Sequence, residues 1–299
     1  MRFSILGSGS KGNSTLVEHE GFRFLVDAGF SARELTKRLH LVGLKAHDIN
    51  ALFITHAHSD HSKGAPRIAG SMNIPTFATA KAHMACHKVG GLANWNELKA
   101  GESMTLGPFE IMPVAVKHDS PGTVAFIIEA DGNRLGIITD LGNFNDELVA
   151  RCQDLDALYL EFNHDLEMLY EGPYPVRLKR RVASDYGHLN NVQAGQLLGQ
   201  LVGPRLQKVM LAHLSEVNNT PELAFHEAHK ALQGREDILL SIAPQHAPSV
   251  WVDVQAETTI VMDEAAAGPG VSNDAKADEH REDVSVPLAV RHQVALFSG

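Results

Sequence analysis

The heptapeptide Thr-His-Ala-His-Ser-Asp-His occupies residues 55–61 and places three imidazoles and one carboxylate within six positions. It follows directly on the apolar run Ala-Leu-Phe-Ile at residues 51–54, which predicts a short buried strand. Histidine and aspartate together are a donor set that suits Zn²⁺ and neighbouring divalent metals. The spacing predicts that His56 and His58 point towards one metal position, while Asp60 and His61 point towards a second. The stretch therefore predicts two metal ions at a strand end, with a solvated histidine-rich loop as the alternative.

Four further polar residues stand at the ends of predicted apolar strands, namely Asp27, His118, Asp140 and His213. Asp27 is predicted either to hold a metal-binding histidine in the right tautomer or to cap the helix that follows it. The Gly/Ser-rich loop at residues 7–14 either cradles a phosphate through its backbone amides, with Lys11 adding charge, or is a flexible hairpin loop. Potential metal ligands therefore follow several of the predicted apolar strands.

Length and composition allow one large domain or two small ones, since 44% of the 299 residues are hydrophobic. We find no apolar run long enough to span a bilayer and no basic leader, so we expect a cytoplasmic protein without a membrane partner. Cys86 and Cys152 lie in separate predicted helices and are expected to be buried free thiols. The net charge of −10 argues at first against a nucleic-acid partner, but about half of that excess lies beyond residue 254.

The composition changes near residue 255 to alanine, glycine and acidic residues with little periodicity. We therefore predict a domain at residues 1–254, closed by a strand pair at 238–242 and 249–254, and a disordered acidic tail at 255–299. The tail ends in a segment, residues 293–297, that resembles the pentapeptide by which bacterial polymerases and repair proteins bind the sliding clamp. Its anchors would be Gln293, Leu296 and Phe297. A chance match of five residues is the alternative.

Strands separated by helices, with His118, Asp140 and His213 at strand ends beside the opening motif, resemble the metallo-β-lactamase superfamily. The resemblance covers roughly residues 1–254 and implies an α/β fold, a four-layer αββα sandwich with a dinuclear site at one edge. It implies that Asp140 bridges two divalent ions, Zn²⁺ by ligand type with Mn²⁺ as the alternative. A hydroxide held between two such cations is a nucleophile at neutral pH. One ion would be bound by His56, His58 and His118, and the other by Asp60, His61 and His213.

Glu161 and His188 lie where ribonuclease Z and the β-CASP nucleases place an acid and a histidine that contact the scissile phosphate. By that resemblance His188 is a general acid for the leaving 3′ oxygen, Glu161 keeps it protonated and oriented, and Asp60 is the third catalytic residue. The alternative is a surface histidine and a helix-capping glutamate. The basic run Arg-Leu-Lys-Arg-Arg at residues 177–181 could bind phosphates or form a solvated helix face. The predicted substrate-binding residues are Lys11, Asn13, Arg177, Lys179, Arg180, Arg181 and Asn191.

Five longer motifs are more specific: Ser-Gly-Ser-Lys-Gly-Asn-Ser near the start, and motifs beginning at residues 161, 172, 187 and 213. The last four read Glu-Phe-Asn-His-Asp, Gly-Pro-Tyr-Pro, Gly-His-Leu-Asn-Asn and His-Leu-Ser-Glu-Val-Asn-Asn. Together they resemble the YycJ (WalJ) subfamily, which is associated with 5′-to-3′ exonuclease activity on DNA. Asn190 and Phe162 each replace a serine expected from that subfamily. We see neither a long insertion between Asp140 and His213 that would form a β-CASP cap nor a Gly/Pro-rich arm of the ribonuclease Z type.

The resemblance therefore implies a dinuclear-metal phosphodiesterase, a 5′-to-3′ exodeoxyribonuclease of DNA repair in which hydroxide attacks phosphorus and His188 protonates the leaving oxygen. Its partner would be the 5′ end of single- or double-stranded DNA. The alternatives are a small-molecule hydrolase acting on a thioester, lactone or β-lactam, and a ribonuclease. A third is a non-catalytic adaptor bound to the clamp.

Overall fold

The computed structural model of the chain describes residues 1–255, except for the side chain of Val89. The predicted acidic tail beyond residue 255 and its clamp-binding residues Gln293, Leu296 and Phe297 lie outside the described residues. Within residues 1–255, no helix combines the length and the apolar character needed to cross a bilayer.

The described residues form fourteen strands and nine α-helices. The strands are β1 (Arg2–Gly7), β2 (Ser14–His19), β3 (Phe22–Val26), β4 (Ala51–Phe53), β5 (Thr76–Thr79), β6 (Trp95–Leu98), β7 (Met104–Leu106), β8 (Phe109–Ala115), β9 (Val124–Ala130), β10 (Asn133–Ile138), β11 (Ala157–Glu161), β12 (Lys208–Ala212), β13 (Leu239–Ile242) and β14 (Val252–Asp253). The helices are α1 (Ala32–Leu41), α2 (Ser59–Ser62), α3 (Ala65–Met72), α4 (Ala80–Cys86), α5 (Asp146–Arg151), α6 (Leu166–Glu171), α7 (Val176–Val182), α8 (Asn191–Leu201) and α9 (Pro221–Ala231).

Two seven-stranded sheets contain all of these strands. The first sheet has the order β14-β1-β2-β3-β4-β5-β6 and the second has the order β13-β12-β11-β10-β9-β8-β7. In each sheet, antiparallel hairpins are followed by parallel strands: β3 to β6 in the first and β10 to β13 in the second. The carboxyl ends of the parallel strands are where loops carry polar residues, which is where a site is expected in such sheets.

Alternate residues of the central strands are buried on opposite faces, so each sheet is covered on both sides. Side chains of the two inner faces pack together, and six of them are phenylalanines: Phe3, Phe24, Phe53, Phe77, Phe109 and Phe126. The outer face of the first sheet packs against α1, α3 and α4, and that of the second against α5, α8 and α9. The predicted four-layer αββα sandwich is therefore confirmed.

The chain turns between β9 and β10 at Asp131 and Gly132, which both adopt positive φ, at 48° and 70°. The two cysteines are buried free thiols, as expected. The predicted closing strand pair is wrong, since β13 lies beside β12 in the second sheet and β14 beside β1 in the first. The chain crosses between the sheets at residues 243–251, where the Ser249 hydroxyl accepts a hydrogen bond from the amide of Ile5. Apolar periodicity identifies a strand but carries no information about which sheet edge it joins.

Phe53 lies at the centre of the inter-sheet aromatic cluster, with ring centroids 5.1 Å from Phe24, 4.7 Å from Phe77 and 5.6 Å from Phe126. We expect the substitution Phe53→Ala to lower the free energy of unfolding by about 3–5 kcal/mol, because it leaves a cavity between the two sheets. Urea denaturation measures this change. Met84→Ala, at a side chain that is 70% exposed on α4, is the control and should change stability by less than about 0.5 kcal/mol. Equal effects of the two substitutions would contradict the assigned core.

Candidate metal centre and active site

Residues from both sheets meet at one edge, where β3, β4, β10, β11 and β12 end. Three of the residues at these ends adopt left-handed backbone conformations: Asp27 at φ 67°, Asp140 at φ 57° and His213 at φ 53°. Such conformations cost free energy in residues other than glycine and persist where the surrounding structure enforces them. The chain therefore turns sharply after these three strands, which brings polar side chains of both sheets close together.

The predicted ligands form two groups of close donor atoms. In each group, the donor atoms lie within 4.8 Å of one another, and the groups are His56 with His58 and His118, and Asp60 with His61 and His213. Asp140 lies between them. Its Oδ2 is 3.0 Å from Nε2 of His61, and its Oδ1 is 3.9 Å from Nε2 of His118 and 3.8 Å from Nε2 of His213. The structure thus brings all seven predicted ligands together, with a carboxylate that reaches both groups.

Two buried nitrogens support the fit of a cation. Nε2 of His56 and Nε2 of His213 have no hydrogen-bond partner among the described residues, and buried unpaired nitrogens are costly. Burial, together with the charge of His61, holds the pKa of His56 well below its ordinary value, so its ring keeps a free lone pair. Burial also opposes the charged form of His61, but the carboxylates of Asp140 and Asp27 outweigh it and raise its pKa well above the ordinary value. This donor set fits divalent metal ions, and a bound ion would displace the proton that the raised pKa favours on His61.

The second nitrogen of several ligand rings is held by a neighbour. Asp27 Oδ2 lies 2.7 Å from Nδ1 of His61 and accepts a hydrogen bond from the Thr55 hydroxyl at 2.8 Å. The same hydroxyl lies 2.9 Å from Nδ1 of His56. Nδ1 of His118 lies 3.0 Å from the carbonyl oxygen of Gly187. These contacts orient the rings and leave the opposite nitrogens for the cluster. Of the two roles considered for Asp27, the geometry favours this one, since the N-cap of α1 is Ser31.

Backbone contacts clamp the loop that carries the opening motif. The amide of Asn13 donates to the carbonyl oxygen of Asp60 and the amide of Ala28 donates to that of His61, both at 2.7 Å. A Cβ at position 29 would lie 1.6 Å from the Asp60 carbonyl oxygen, so only glycine fits there. The position of the metal-binding loop therefore depends on the loops after β1 and β3.

Asp119 is a site residue that the sequence reasoning missed. Its Oδ1 lies 3.2 Å from Nε2 of His58, and its Oδ2 accepts a hydrogen bond from the guanidinium of Arg181. Burial opposes its charge, but the hydrogen bond from Arg181 and the neighbouring His118 keep the pKa of Asp119 below its ordinary value. The available signal was an acid directly after a predicted ligand. The carboxylate is placed to hold the His58 ring with Nδ1 towards the cluster.

Glu161 and His188 form an ion pair beside the cluster, with Oε1 of Glu161 2.6 Å from Nδ1 of His188. Burial disfavours both charges, but their mutual attraction and hydrogen bond outweigh it, so the pKa of Glu161 is lowered and that of His188 is raised. The second oxygen of Glu161 accepts a hydrogen bond from the amide of Leu141 at 3.0 Å. The alternative of a helix-capping glutamate does not hold, because the N-cap of α6 is Asp165.

A cavity of about 400 Å³ opens onto the cluster and is a candidate substrate site. His188 and Asp140 line it together with Arg181 of the basic run. Arg177 and Arg180 are exposed elsewhere on α7, and Nζ of Lys179 donates to the carbonyl oxygen of Tyr170 at 2.6 Å. The predicted phosphate-binding run is thus a largely solvated helix that directs Arg181 towards the cavity.

The other predicted substrate residues have mixed placements. Lys11 is exposed and pairs with Glu216. Asn13 is buried, with Nδ2 2.9 Å from Nε2 of His61 and Oδ1 accepting from the amide of Gly9 at 2.7 Å. That amide is therefore already bonded within the loop, which favours a hairpin loop over a phosphate cradle. Asn191 is buried in a reciprocal amide pair with Asn219, at 2.8 and 3.0 Å, so its placement argues against the predicted substrate contact.

Comparisons with known proteins agree with this architecture. The model of the β-lactamase superfamily domain matches residues 22–213. Exodeoxyribonuclease WalJ of Streptococcus pneumoniae is 34% identical over 228 residues, which are 75% of this chain and 85% of WalJ. Exodeoxyribonuclease YycJ of Bacillus anthracis is 32% identical over 236 residues, 78% of this chain and 89% of YycJ. The metallo-β-lactamase fold protein YhfI of Bacillus subtilis shares the fold, with a TM-score of 0.63 at 16% identity over 83% of this chain and 98% of YhfI.

We expect the substitution Asp119→Asn to weaken zinc binding at the three-histidine group about 10- to 100-fold, because the His58 ring loses the charge that orients it. Competition with a chromogenic chelator measures the affinity without any need for activity. The matched control is Asp131→Asn, which removes the same charge from a surface pair in which Oδ2 lies 2.9 Å from Nε2 of His19, remote from the metal ligands. Unchanged affinity in Asp119→Asn, or an equal loss in the control, would contradict this role.

Proposed function

The chain belongs to the β-lactamase superfamily, within the group that includes the exodeoxyribonucleases WalJ and YycJ, and we propose that it is itself a metal-dependent exodeoxyribonuclease. The observation that carries the proposal is the Glu161–His188 ion pair, which lies beside the seven-ligand cluster and at the wall of an open cavity. Hydrolysis of an ester with a weakly basic leaving group needs no proton donor. The alkoxide that leaves from a phosphodiester is strongly basic, so its departure needs one.

The residues proposed to hold two divalent metal ions are His56, His58, Asp60, His61, His118, Asp140 and His213. When bound, the ions supply a nucleophile at neutral pH and positive charge that stabilises the transition state of phosphodiester hydrolysis. The histidine-rich donor set favours Zn²⁺, and Mn²⁺ is the alternative. Asp60 is assigned a catalytic role through its place in the second group of ligands.

His188 is proposed to donate a proton to the leaving 3′ oxygen. Glu161 holds the ring through its Nδ1 nitrogen and raises the pKa of His188 against the effect of burial, which favours the protonated form that a general acid needs. The proton passes from the ring to the oxygen as the bond from phosphorus to that oxygen breaks, and the ring is left neutral. Arg181 lines the same cavity and is proposed to meet a substrate phosphate.

Digestion in the 5′-to-3′ direction, a role in DNA repair and a cytoplasmic location belong to the proposal and are supported by the resemblance to the YycJ (WalJ) group. Binding of the sliding clamp through Gln293, Leu296 and Phe297 stays a prediction from the sequence. A ribonuclease, a small-molecule hydrolase and a non-catalytic adaptor remain the competing functions.

We expect the protein loaded with Zn²⁺ or Mn²⁺ to digest 5′-phosphorylated DNA from its 5′ end. A label at the 5′ end should appear at once as a mononucleotide, whereas strands labelled at the 3′ end should shorten progressively. RNA of the same sequence should resist digestion, and Asp140→Asn should abolish activity because both ligand groups lose a shared carboxylate. Intact DNA with both metals would refute the proposal. Preferred digestion of RNA, or turnover of a thioester, lactone or β-lactam, would support the competing hydrolases instead.

The substitution His188→Ala should lower the turnover number on DNA about 10²- to 10⁴-fold, because the leaving oxygen loses its proton donor. On thymidine 5′-(4-nitrophenyl phosphate) the loss should be much smaller, since 4-nitrophenolate leaves without a proton. His226→Ala, at an exposed side chain on α9, is the control and should leave both rates unchanged. Equal losses on the two substrates would show that His188 positions groups and does not act as an acid.

A further inference from the structure

The segment that joins α6 to α7 lies at the cavity but has no part in the chemistry described above. It reads Gly172-Pro173-Tyr174-Pro175, and Tyr174 lines the cavity together with Leu178 of α7. We infer that Tyr174 and Leu178 form a binding site for the nucleobase of the nucleotide whose phosphate lies at the metal centre. This inference rests on the proposed function, because it assigns the place where a base of the same DNA substrate binds.

The segment is rigid, so it presents Tyr174 at little entropic cost. Pro173 and Pro175 have fixed φ angles, and a proline also restricts the residue that precedes it, here Gly172 and Tyr174. A Cβ at position 172 would lie 2.5 Å from the carbonyl oxygen of Met168 and 2.8 Å from Oδ1 of Asn218, so the chain passes too close for any other residue. Tyr174 is half-buried, and the restricted backbone around it limits the conformational entropy lost when a ligand binds.

The cavity has two chemically different kinds of lining residue. The charged lining residues include metal ligands and His188, and the apolar ones include Leu178 and Val182 of α7 together with Tyr174 and Leu214. A nucleotide is divided in the same way, into an anionic phosphate and a flat, largely apolar base. The volume of about 400 Å³ lies within the range of sites that bind small molecules. The phosphate is therefore assigned to the charged residues and the base to Tyr174 and Leu178.

Asn218 connects this segment to the loop after β12. Its side chain is buried, its Oδ1 lies close to Gly172, and the residue also lines the cavity. The close approach fixes the position of Gly172 beside the cavity wall.

An aromatic wall also explains how such a site would accept any sequence. All four bases offer a π face, so stacking on tyrosine contributes affinity without reading base identity. An enzyme that digests from an end must accept each nucleotide in turn. The site is therefore expected to retain the terminal nucleotide with little preference among bases.

Equilibrium binding of two ligands to the metal-loaded protein tests the inference without requiring turnover. The ligands are thymidine 5′-monophosphate and 2-deoxyribose 5-phosphate, which differ by the base alone. We expect the nucleotide to bind about 5- to 100-fold more tightly to the unchanged protein. Tyr174→Ala should remove that difference, and Tyr174→Phe should retain it because the ring face remains. Equal binding of both ligands by the unchanged protein, or a preference that persists in Tyr174→Ala, would overturn the inference.

Tyr170→Ala is the matched control, since Tyr170 is a neighbouring tyrosine on α6 that is 59% exposed. It should bind both ligands as the unchanged protein does, and thermal unfolding should show that all variants fold. Loss of the base preference in this control would overturn the assignment to Tyr174. If DNA stays intact in the nuclease assay while the base preference and its dependence on Tyr174 hold, the proposed function fails and the nucleobase site stands.

Discussion

The cost of burying imidazoles and carboxylates together at one sheet edge is the constraint on which the rest of the structure depends. The side chains concerned are Asp27, His56, His61, His118, Asp140, Glu161 and His213, all of which are buried. Hydrogen bonds to ring nitrogens and carboxylates offset part of that cost, and divalent cations would offset the remainder. The left-handed turns after three strands and the close contact between Gly29 and Asp60 are local strains that serve this convergence.

Neither sheet contains the centre by itself. The first sheet contributes Asp27 and the loop at residues 55–61, while the second contributes His118, Asp140 and the residues near β11 and β12. Each group of ligands combines residues of both sheets, so the inter-sheet aromatic core around Phe53 sets the distances within each group. A shift of one sheet against the other would therefore separate His118 and His213 from the ligands of the loop at residues 55–61.

The four-layer sandwich is predicted only through the family resemblance that the motifs carry. The ligand cluster has a local signal, because each ligand follows an apolar run and the strand ends meet at one edge. The sequence does not reveal Asp119, whose role depends on its contacts with His58 and Arg181 in other parts of the chain. The strands β6 and β7 are not predicted from the sequence, because four and three residues are too few to establish a period-2 pattern. Asn191 looked like a ligand-binding amide, but only the fold shows that Asn219 already satisfies it. Contacts between distant segments, rather than local patterns, account for what the sequence could not show.

Helix α7 has no buried residue, although Leu178 and Arg181 line the cavity. It is held by hydrogen bonds from Lys179 to the carbonyl oxygen of Tyr170 and from Arg181 to Asp119, and it contributes no residue to the buried core. Substitutions along its outer face therefore carry little folding penalty, whereas the loop at residues 55–61 tolerates almost none. Under the proposed function, substitutions on this one surface helix would change which substrates bind, while the metal ligands behind it stay unchanged.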